Sequence, residues 1–543
     1  MHCPHHVARE WIDKFAGRFD DGWDELRREV YDRQLALGVI PAGTRLTPRP
    51  DEIPSWDDYP DRYKPVASRL MEVFAGFMAH TDAQIGRVID ELEAMGEFDN
   101  TLFMYITGDN GASAEGTVHG AWSAPSFQNG IPEDPEWLLE HIDDFGTERC
   151  ENHYNLAWAW ALDSPFQWMK QVASHFGGTR NAMAVSWPAR IRDEGGLRTQ
   201  FHHVVDVMPT LLAAAGVPVP GVVNGLEQLP VDGVSMTYAF DGPDGPSTRT
   251  TQYFEMFGNR AIYHEGWMAS CFHGRVPWNR FGMVPFDGPQ EKWELYNIAE
   301  DFSQGHDLSQ EHPEKLAQLR EVFDAEAVRN NVYPLREPGS TFGMKVVPPT
   351  NLNGLTKMTY TADHVRMPEQ SVVSVKNCSF SITADITVPV GGCEGVIVCQ
   401  GGNMAGWTLY VAADGRPTYH YNWLGHEHFV ATSSVSLVPG RHVIEVRHAY
   451  DGGFGGGGHS VLLVDDAVVG HVHVERSVPV VFSISGETFD VGLDSGAPVG
   501  DYPHVYRFTG VIHSVLLERL SEPSPEIKAM VADAEFRASL MIQ

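Results

Sequence analysis

Asp109 and Asn110 stand side by side in the corner Gly108-Asp-Asn-Gly111. A carboxylate beside an amide carbonyl suits a hard cation such as Ca2+ or Mg2+. The same four residues also favour a tight turn. Two adjacent histidines, His5 and His6, follow Cys3-Pro4. An imidazole can donate to an anion or protonate a leaving group. Lys170, His175 and Arg180 lie close together around Gly177-Gly178, and a lysine there could neutralise an anion as a point charge. Glu115 and His119 flank the Asp109 corner and read as solvated or packing residues. Asp206 and Pro209 read as the start of a helix. Trp293, Phe254 and Trp267 could line a pocket, although such aromatics are more often core.

Those groups need elements to hold them. Between Pro65 and Met95, Leu70, Val73, Phe74, Phe77, Met78, Ile85, Val88, Ile89 and Leu92 recur at helical spacing, and Gly96 supplies a stop. The run 101–107 (TLFMYIT) follows at once. It is short, apolar and β-rich, as a strand buried on both faces would be. A helix leading into such a strand suggests an α/β fold with a parallel sheet, and ligands then bind beyond the strand's carboxyl end, where Asp109 lies. A second strand is expected over 182–187 and a helix over 204–215, closed by Gly216 and Pro218. Residues 221–336 read as a smaller α+β part and 337–352 as a Pro/Gly-rich linker. After that, short strands recur at 380–388, 395–400, 408–411, 442–448, 460–464, 468–474 and 511–517, which predicts an all-β sandwich over 353–520. The run 453–458 reads as a flexible loop, and 521–543 as one terminal helix.

The chain has 543 residues and a formal net charge of -33. A field of that sign repels phosphate backbones, so no nucleic-acid partner is expected. No run of 18 apolar residues is present, so no membrane span is expected. The first residues, MHCPHH, lack the basic start and apolar stretch of a signal peptide. None of the six cysteines forms a C-x-x-C pair, and six are too few for a disulfide scaffold. A cytoplasmic location is the default expectation.

Taken in order, several stretches resemble type I sulfatases of the alkaline-phosphatase-like superfamily, particularly bacterial arylsulfatases. They are CPHHVAREWIDKFAGRFDDGWDELRREV, HTDAQIGRVIDELEAMGEFDNTLFMYITGDNGASAEG, KQVASHFGGTRNAMAVSWP, HHVVDVMPTLLAAAGVP, QYFEMFGNRAIYHEGW and WELYNIAEDFSQGHDLS. The resemblance implies an α/β sulfatase main domain over 1–220 with the smaller part behind it. It implies a sulfate ester, small molecule or glycan, as substrate. By the resemblance, Asp109 and Asn110 are ligands to Ca2+ or Mg2+, His5 sits beside the scissile ester oxygen, Lys170 binds sulfate and His175 is an outside candidate for the same task. Residues 353–520 resemble a concanavalin-A-like sandwich, with FDVGLDSG and FTGVIHSVLLERL as its closing strands.

The chain also departs from that pattern. The family's nucleophile is a formylglycine made from Cys or Ser in a C/S-x-P/A-x-R motif. No cysteine fits: Cys271-Phe-His-Gly-Arg275 has histidine where Pro or Ala belongs, and no serine form is recognised. The family's first pair of metal-binding aspartates is not found either. These departures suggest a chain incomplete at its N-terminus, inactive alone or paired with a separately encoded N-terminal half. Two other readings stand beside the sulfatase one: a phosphate or phosphonate ester hydrolase of the same superfamily, and a non-catalytic glycan-binding remnant.

Overall fold

The computed structural model describes residues 3–279, 291–335, 352, 354–484, 486–522 and 525. The chain divides into two compact units. The first takes Val7–Gly120 and Tyr154–Pro338, and the second Cys3–His6, Ala121–His153 and Gly339–Gln543.

In the first unit, the longest element is the helix Lys64–Ala94. Pro65 sits at its start, where a missing N–H costs nothing. Gly96 follows its end at φ +73, a conformation glycine adopts freely. Its apolar stripe is buried only over the first turns, at Leu70, Val73 and Phe74, whereas Val88 is 55% exposed. Strand β1 (Phe103–Ile106) follows the helix, and β2 (Met183–Ser186) pairs with it in a two-stranded sheet.

Two expectations fail here. The pair is antiparallel, with Phe103 opposite Ser186 and Ile106 opposite Met183. Nor is β1 buried on both faces: its first residues are half-buried and Ile106 is 38% exposed. The physical reason is that an apolar run reports burial only if something covers it. Here the chain makes a long excursion and returns beside β1 in the opposite sense.

The short hairpin β3 (Val222–Val223) and β4 (Leu226–Glu227) leads to an antiparallel sheet of β5 (Thr251–Met256), β6 (Asn259–His264), β7 (Trp267–Cys271) and β8 (Trp293–Asn297), in sequence order. The helix Pro313–Arg329 lies on this sheet. Leu319, Phe323 and Ala327 from the helix share one core with Ile262, Ala269 and Leu295. Trp293 is half-buried and packs edge-on against Phe323 at the margin of that core.

The second unit is all-β over most of its length. Its strands are β9 (Lys357–Tyr360), β10 (Phe380–Val388), β11 (Gly395–Gly402), β12 (Ala405–Val411), β13 (Pro417–Trp423), β14 (Glu427–Thr432), β15 (Gly440–Tyr450), β16 (Gly458–Val464), β17 (Ala467–Val474), β18 (Phe489–Val491) and β19 (Val511–Arg519). They form a six-stranded sheet ordered β17-β16-β15-β10-β19-β9 and a five-stranded sheet ordered β14-β13-β12-β11-β18. One core joins the sheets, with Ile382, Ala384 and Val446 from the first and Trp407, Leu409 and Tyr419 from the second. Two sheets sharing a core make a sandwich.

This unit also takes in 121–153, which the sequence reading set in the main domain. Long-range bonds account for that placement. The Asn129 side chain donates to the Val481 carbonyl at 2.9 Å and accepts from the Val480 N–H at 2.8 Å. Asn403 donates to the Glu148 carbonyl at 2.9 Å.

The run 453–458 is not a free loop. The Gly455 N–H donates to Asn377 Oδ1 at 2.9 Å, and the Gly456 N–H to the Tyr450 hydroxyl at 2.9 Å. A Cβ on Gly456 would stand 2.0 Å from the Gly452 carbonyl oxygen. Close packing, not flexibility, requires glycine there. The expected linker and terminal helix lie outside the described residues, apart from 352, 521, 522 and 525.

Candidate functional site

The Asp109 corner opens directly after β1. The Thr107 N–H still donates to the Ala182 carbonyl at 3.0 Å, and Gly108 then turns the chain at φ +80. Asn181, just before β2, grips the Asn110 backbone. With its amide oriented so that nitrogen faces the Asn110 carbonyl and oxygen faces the Asn110 N–H, it donates to the first at 2.7 Å and accepts from the second at 3.1 Å. The Gly111 N–H donates to the Gly178 carbonyl at 3.2 Å. A Cβ at Gly111 would stand 1.7 Å from the Gly177 oxygen, so only glycine allows this approach. The Ala112 carbonyl accepts from the Lys170 N–H at 3.1 Å. The Ala112 N–H donates to both Asp163 carboxylate oxygens, each at 3.0 Å. Burial pushes the Asp163 carboxyl well up, against the pull of that N–H and of Arg27. The corner is therefore stitched through its backbone to the segment that carries Lys170.

The side chains differ sharply in their freedom. Asp109 is exposed. Neither its carboxylate nor the Asn110 side chain has a hydrogen-bond or ion-pair partner among the described residues. Two adjacent oxygen donors of this kind fit part of the oxygen set that a hard cation requires. Lys170 is shielded, with its Nζ 3.3 Å from Glu115 Oε1 and side-chain exposures of 13% and 5%. Glu115, read as solvated or packing, is thus the counter-ion of Lys170. His119 packs against Tyr59 and Tyr63, accepts or donates at 2.9 Å to the Tyr59 hydroxyl, and is held below its usual range by burial.

The other sequence candidates do not join this corner as free groups. His175 is 1% exposed. Its Nδ1 lies 2.9 Å from Ser174 Oγ and its Nε2 lies 3.1 Å from Glu294. With one ring nitrogen on Ser174 and the other on Glu294 of β8, it has no nitrogen left for a substrate. Arg180 is stacked among Phe166, Phe176 and Phe302. Burial draws it down to about 10. Asp206 is a helix-start residue: its carboxylate accepts from the His203 N–H at 2.9 Å and pairs with Arg249. His5 falls in the second unit, fully buried, with its ring centroid 5.2 Å from that of His153. His6 Nε2 lies 2.6 Å from the Cys150 carbonyl in the same unit.

A serine form of the C/S-x-P/A-x-R pattern does exist, contrary to the sequence reading: Ser186-Trp187-Pro188-Ala189-Arg190. Ser186 ends β2 opposite Phe103, and Arg190 is bound to Asp241 at the surface. A ladder position of this kind is structural. Cys271 is likewise a strand residue, fully buried, and burial pushes its thiol up to about 11.

Comparison with known proteins follows the same lines. Residues 1–217 match the family model described as Sulfatase. An uncharacterized sulfatase of Schizosaccharomyces pombe is 30% identical over 343 residues, which cover 60% of this chain and 56% of that protein. An arylsulfatase of Klebsiella aerogenes is 29% identical over 237 residues, which cover 44% of this chain and 48% of that one. The chain spans about half the length of the curated relatives it matches. Among solved structures, the putative sulfatase yidJ from Bacteroides fragilis shares 13% identity, covering 57% of this chain and 50% of that one, with a TM-score of 0.30. The corner at Asp109 and the segment carrying Lys170 thus lie within a stretch of sequence that matches the sulfatase family.

Proposed function

We propose that the first unit contributes to the hydrolysis of sulfate esters. In this reading, Asp109 and Asn110 hold a calcium or magnesium ion and Lys170 neutralises charge on the bound sulfate. The observation that carries it is the pair of unengaged oxygen donors at 109–110, tied by backbone bonds to the strand of chain bearing Lys170. The family match of residues 1–217 supports it.

A divalent cation held there would stabilise charge on sulfate oxygens as a Lewis acid. The protein's own part is positional. Asn181 fixes the Asn110 peptide, so the two donors present together without reorganisation. Glu115 holds the Lys170 ammonium in a shielded place. An incoming sulfate would compete with Glu115 for that ammonium. The reading assigns the covalent nucleophile to none of the described residues. Loss of such a group costs on the order of 10⁶ in rate in other hydrolases. Turnover by this chain alone should therefore fall far below that of an arylsulfatase with such a nucleophile.

The test has two arms. Calorimetric titration of the purified chain with calcium should show binding that Asp109→Ala abolishes. Hydrolysis of a chromogenic aryl sulfate, with an aryl phosphate in parallel, should stay near background. Calcium binding unaffected by Asp109→Ala would overturn the ligand assignment. Rapid hydrolysis would overturn the account of the nucleophile.

A further inference from the structure

The outer face of β16 and β17 carries three histidines that neither the fold nor the proposed hydrolysis uses. His471 and His473 are two residues apart on β17, and His459 on β16 pairs directly with His473. Side chains two apart on a strand share a face, and directly paired residues across an antiparallel ladder share it too. All three are exposed, while Ser460, Leu462 and Val474 between or beside them point inward and are buried. The rings of His459 and His473 already lie with centroids 4.4 Å apart, tilted by 41°.

Two carboxylates border the group. Asp451 Oδ2 is 3.5 Å from His473 Nε2, and Glu475 Oε1 is 3.8 Å from His473 Nδ1. The neighbouring positions leave room. Ala449 is opposite His459, and Val461 is opposite His471. Arg447, paired with Val461 in the same sheet, is held by Glu445 at 2.6 and 2.8 Å.

We propose that His459, His471 and His473 form a binding site for a divalent transition metal that prefers imidazole, of the zinc, nickel or copper class. The spacing supports this. Residues two apart on a strand are separated by about 6.6 Å and paired residues by about 5 Å, which flexible imidazoles can span to metal–nitrogen bonds of about 2.1 Å. Three neutral imidazoles with one position left open is a ligand set that zinc accepts. Asp451 or Glu475 can hydrogen-bond the outer nitrogen of His473, as metal-bound histidines commonly require. The ring nitrogens of the three histidines do not yet lie within 4.8 Å of one another, so binding requires the exposed rings of His471 and His473 to turn toward His459. The net charge of -33 favours any cation at this surface. Calcium and magnesium are not the expected occupants, because they prefer oxygen donors.

The full chain would be titrated with zinc against a chromophoric chelator, in excess calcium and magnesium so that oxygen-donor sites are filled. One equivalent should bind at about pH 7.5. The double variant His459→Ala/His473→Ala should lose that equivalent. His471→Ala should weaken it by more than the roughly 10–100-fold that loss of an outer-shell partner costs. His504→Ala, a change of an exposed histidine elsewhere in the unit, should leave it intact. Cobalt(II) in place of zinc should give visible bands that the double variant lacks. All three histidines are exposed, so far-ultraviolet dichroism and metal-free melting should not change. A double variant that keeps the equivalent would overturn the proposal, as would a native chain that takes no zinc from the chelator.

Discussion

Lys170 and Glu115 form an ion pair shielded from water, and this sets what a substitution at either position can mean. Removing one partner leaves the other charge buried and unpaired, which costs about 3 kcal/mol or more. Lys170→Ala should therefore lower stability by that amount in urea melts, whatever it does to sulfate binding. The double change Lys170→Met/Glu115→Gln removes both charges and should recover most of the loss. If Lys170→Ala melts like the native chain, the pair is solvated and its role as a fixed anion clamp fails. Glu294 provides a second residue-scale test. Burial would raise its carboxyl, but hydrogen bonds and charge from His175, together with Tyr296 and Lys292, hold it down to about 2 from 4.5. A depressed acid contributes stability that is complete above the unfolded value and is lost as pH falls through the folded one. That stability is complete above pH 4.5 and should fade between pH 4.5 and about 2. Glu294→Gln should remove that acid-dependent slope; an unchanged slope would contradict the assignment. The turn at Asp109 was legible in sequence because Gly-Asp-Asn-Gly favours one, and Gly108 takes φ +80 there. The pairing of Lys170 with Glu115 was not, because nothing local marks a contact made across fifty-five positions.

At the scale of elements, strands buried along their whole length were read unevenly: β11 and β12 were placed from their apolar runs, and β13 was not. β10 and β15 alternate buried and exposed positions, and both stand close to where their period-two patterns place them. β13 reads PTYHYNW and is buried at every position, so its polar residue types conceal its burial and it was missed; β14, which alternates, was missed as well. The same ambiguity misled the reading of β1, where an apolar run implied a covered parallel strand and the structure has a half-buried antiparallel one. Burial inside β13 and β15 has a consequence for acid stability. Burial draws His420 down from 6.5 to about 4, with His428 beside it adding to the effect. Burial does the same for His448, which bonds Ser460 Oγ at 2.9 Å. A base held below its unfolded value resists protonation in the folded state, so the unfolded chain binds more protons as pH falls. Stability should be full above pH 6.5 and decline steadily toward about 4. His420→Gln or His448→Gln should flatten that decline in melts taken across this range. A decline equally steep in both variants would place the acid sensitivity elsewhere.

For the whole molecule, the division into two units was only partly legible. The change in texture near 353 marks the sandwich correctly, but 121–153 carries no local sign that it joins Val480 and Val481 through Asn129. Long-range membership of that kind is written in contacts, not in periodicity. Net charge, by contrast, is a property that sequence states in full, and it yields a prediction about the entire chain. There are 72 acidic and 39 basic residues, so even complete pairing leaves a large negative excess. Each exposed ion pair contributes only about 0–1 kcal/mol, and salt weakens it. Repulsion among the excess carboxylates acts over the Debye length, which is about 30 Å at 0.01 M salt and about 8 Å at 0.15 M. Screening removes more repulsion than attraction when one sign dominates so strongly. Melting followed by calorimetry should therefore shift upward between roughly 0.01 M and 0.15 M sodium chloride, with no divalent cation present. A downward shift would mean that specific ion pairs, such as Arg441 with Asp385 or Arg198 with Asp193, outweigh the general repulsion. In that case the acidic excess is spread widely enough over the surface to be locally neutralised.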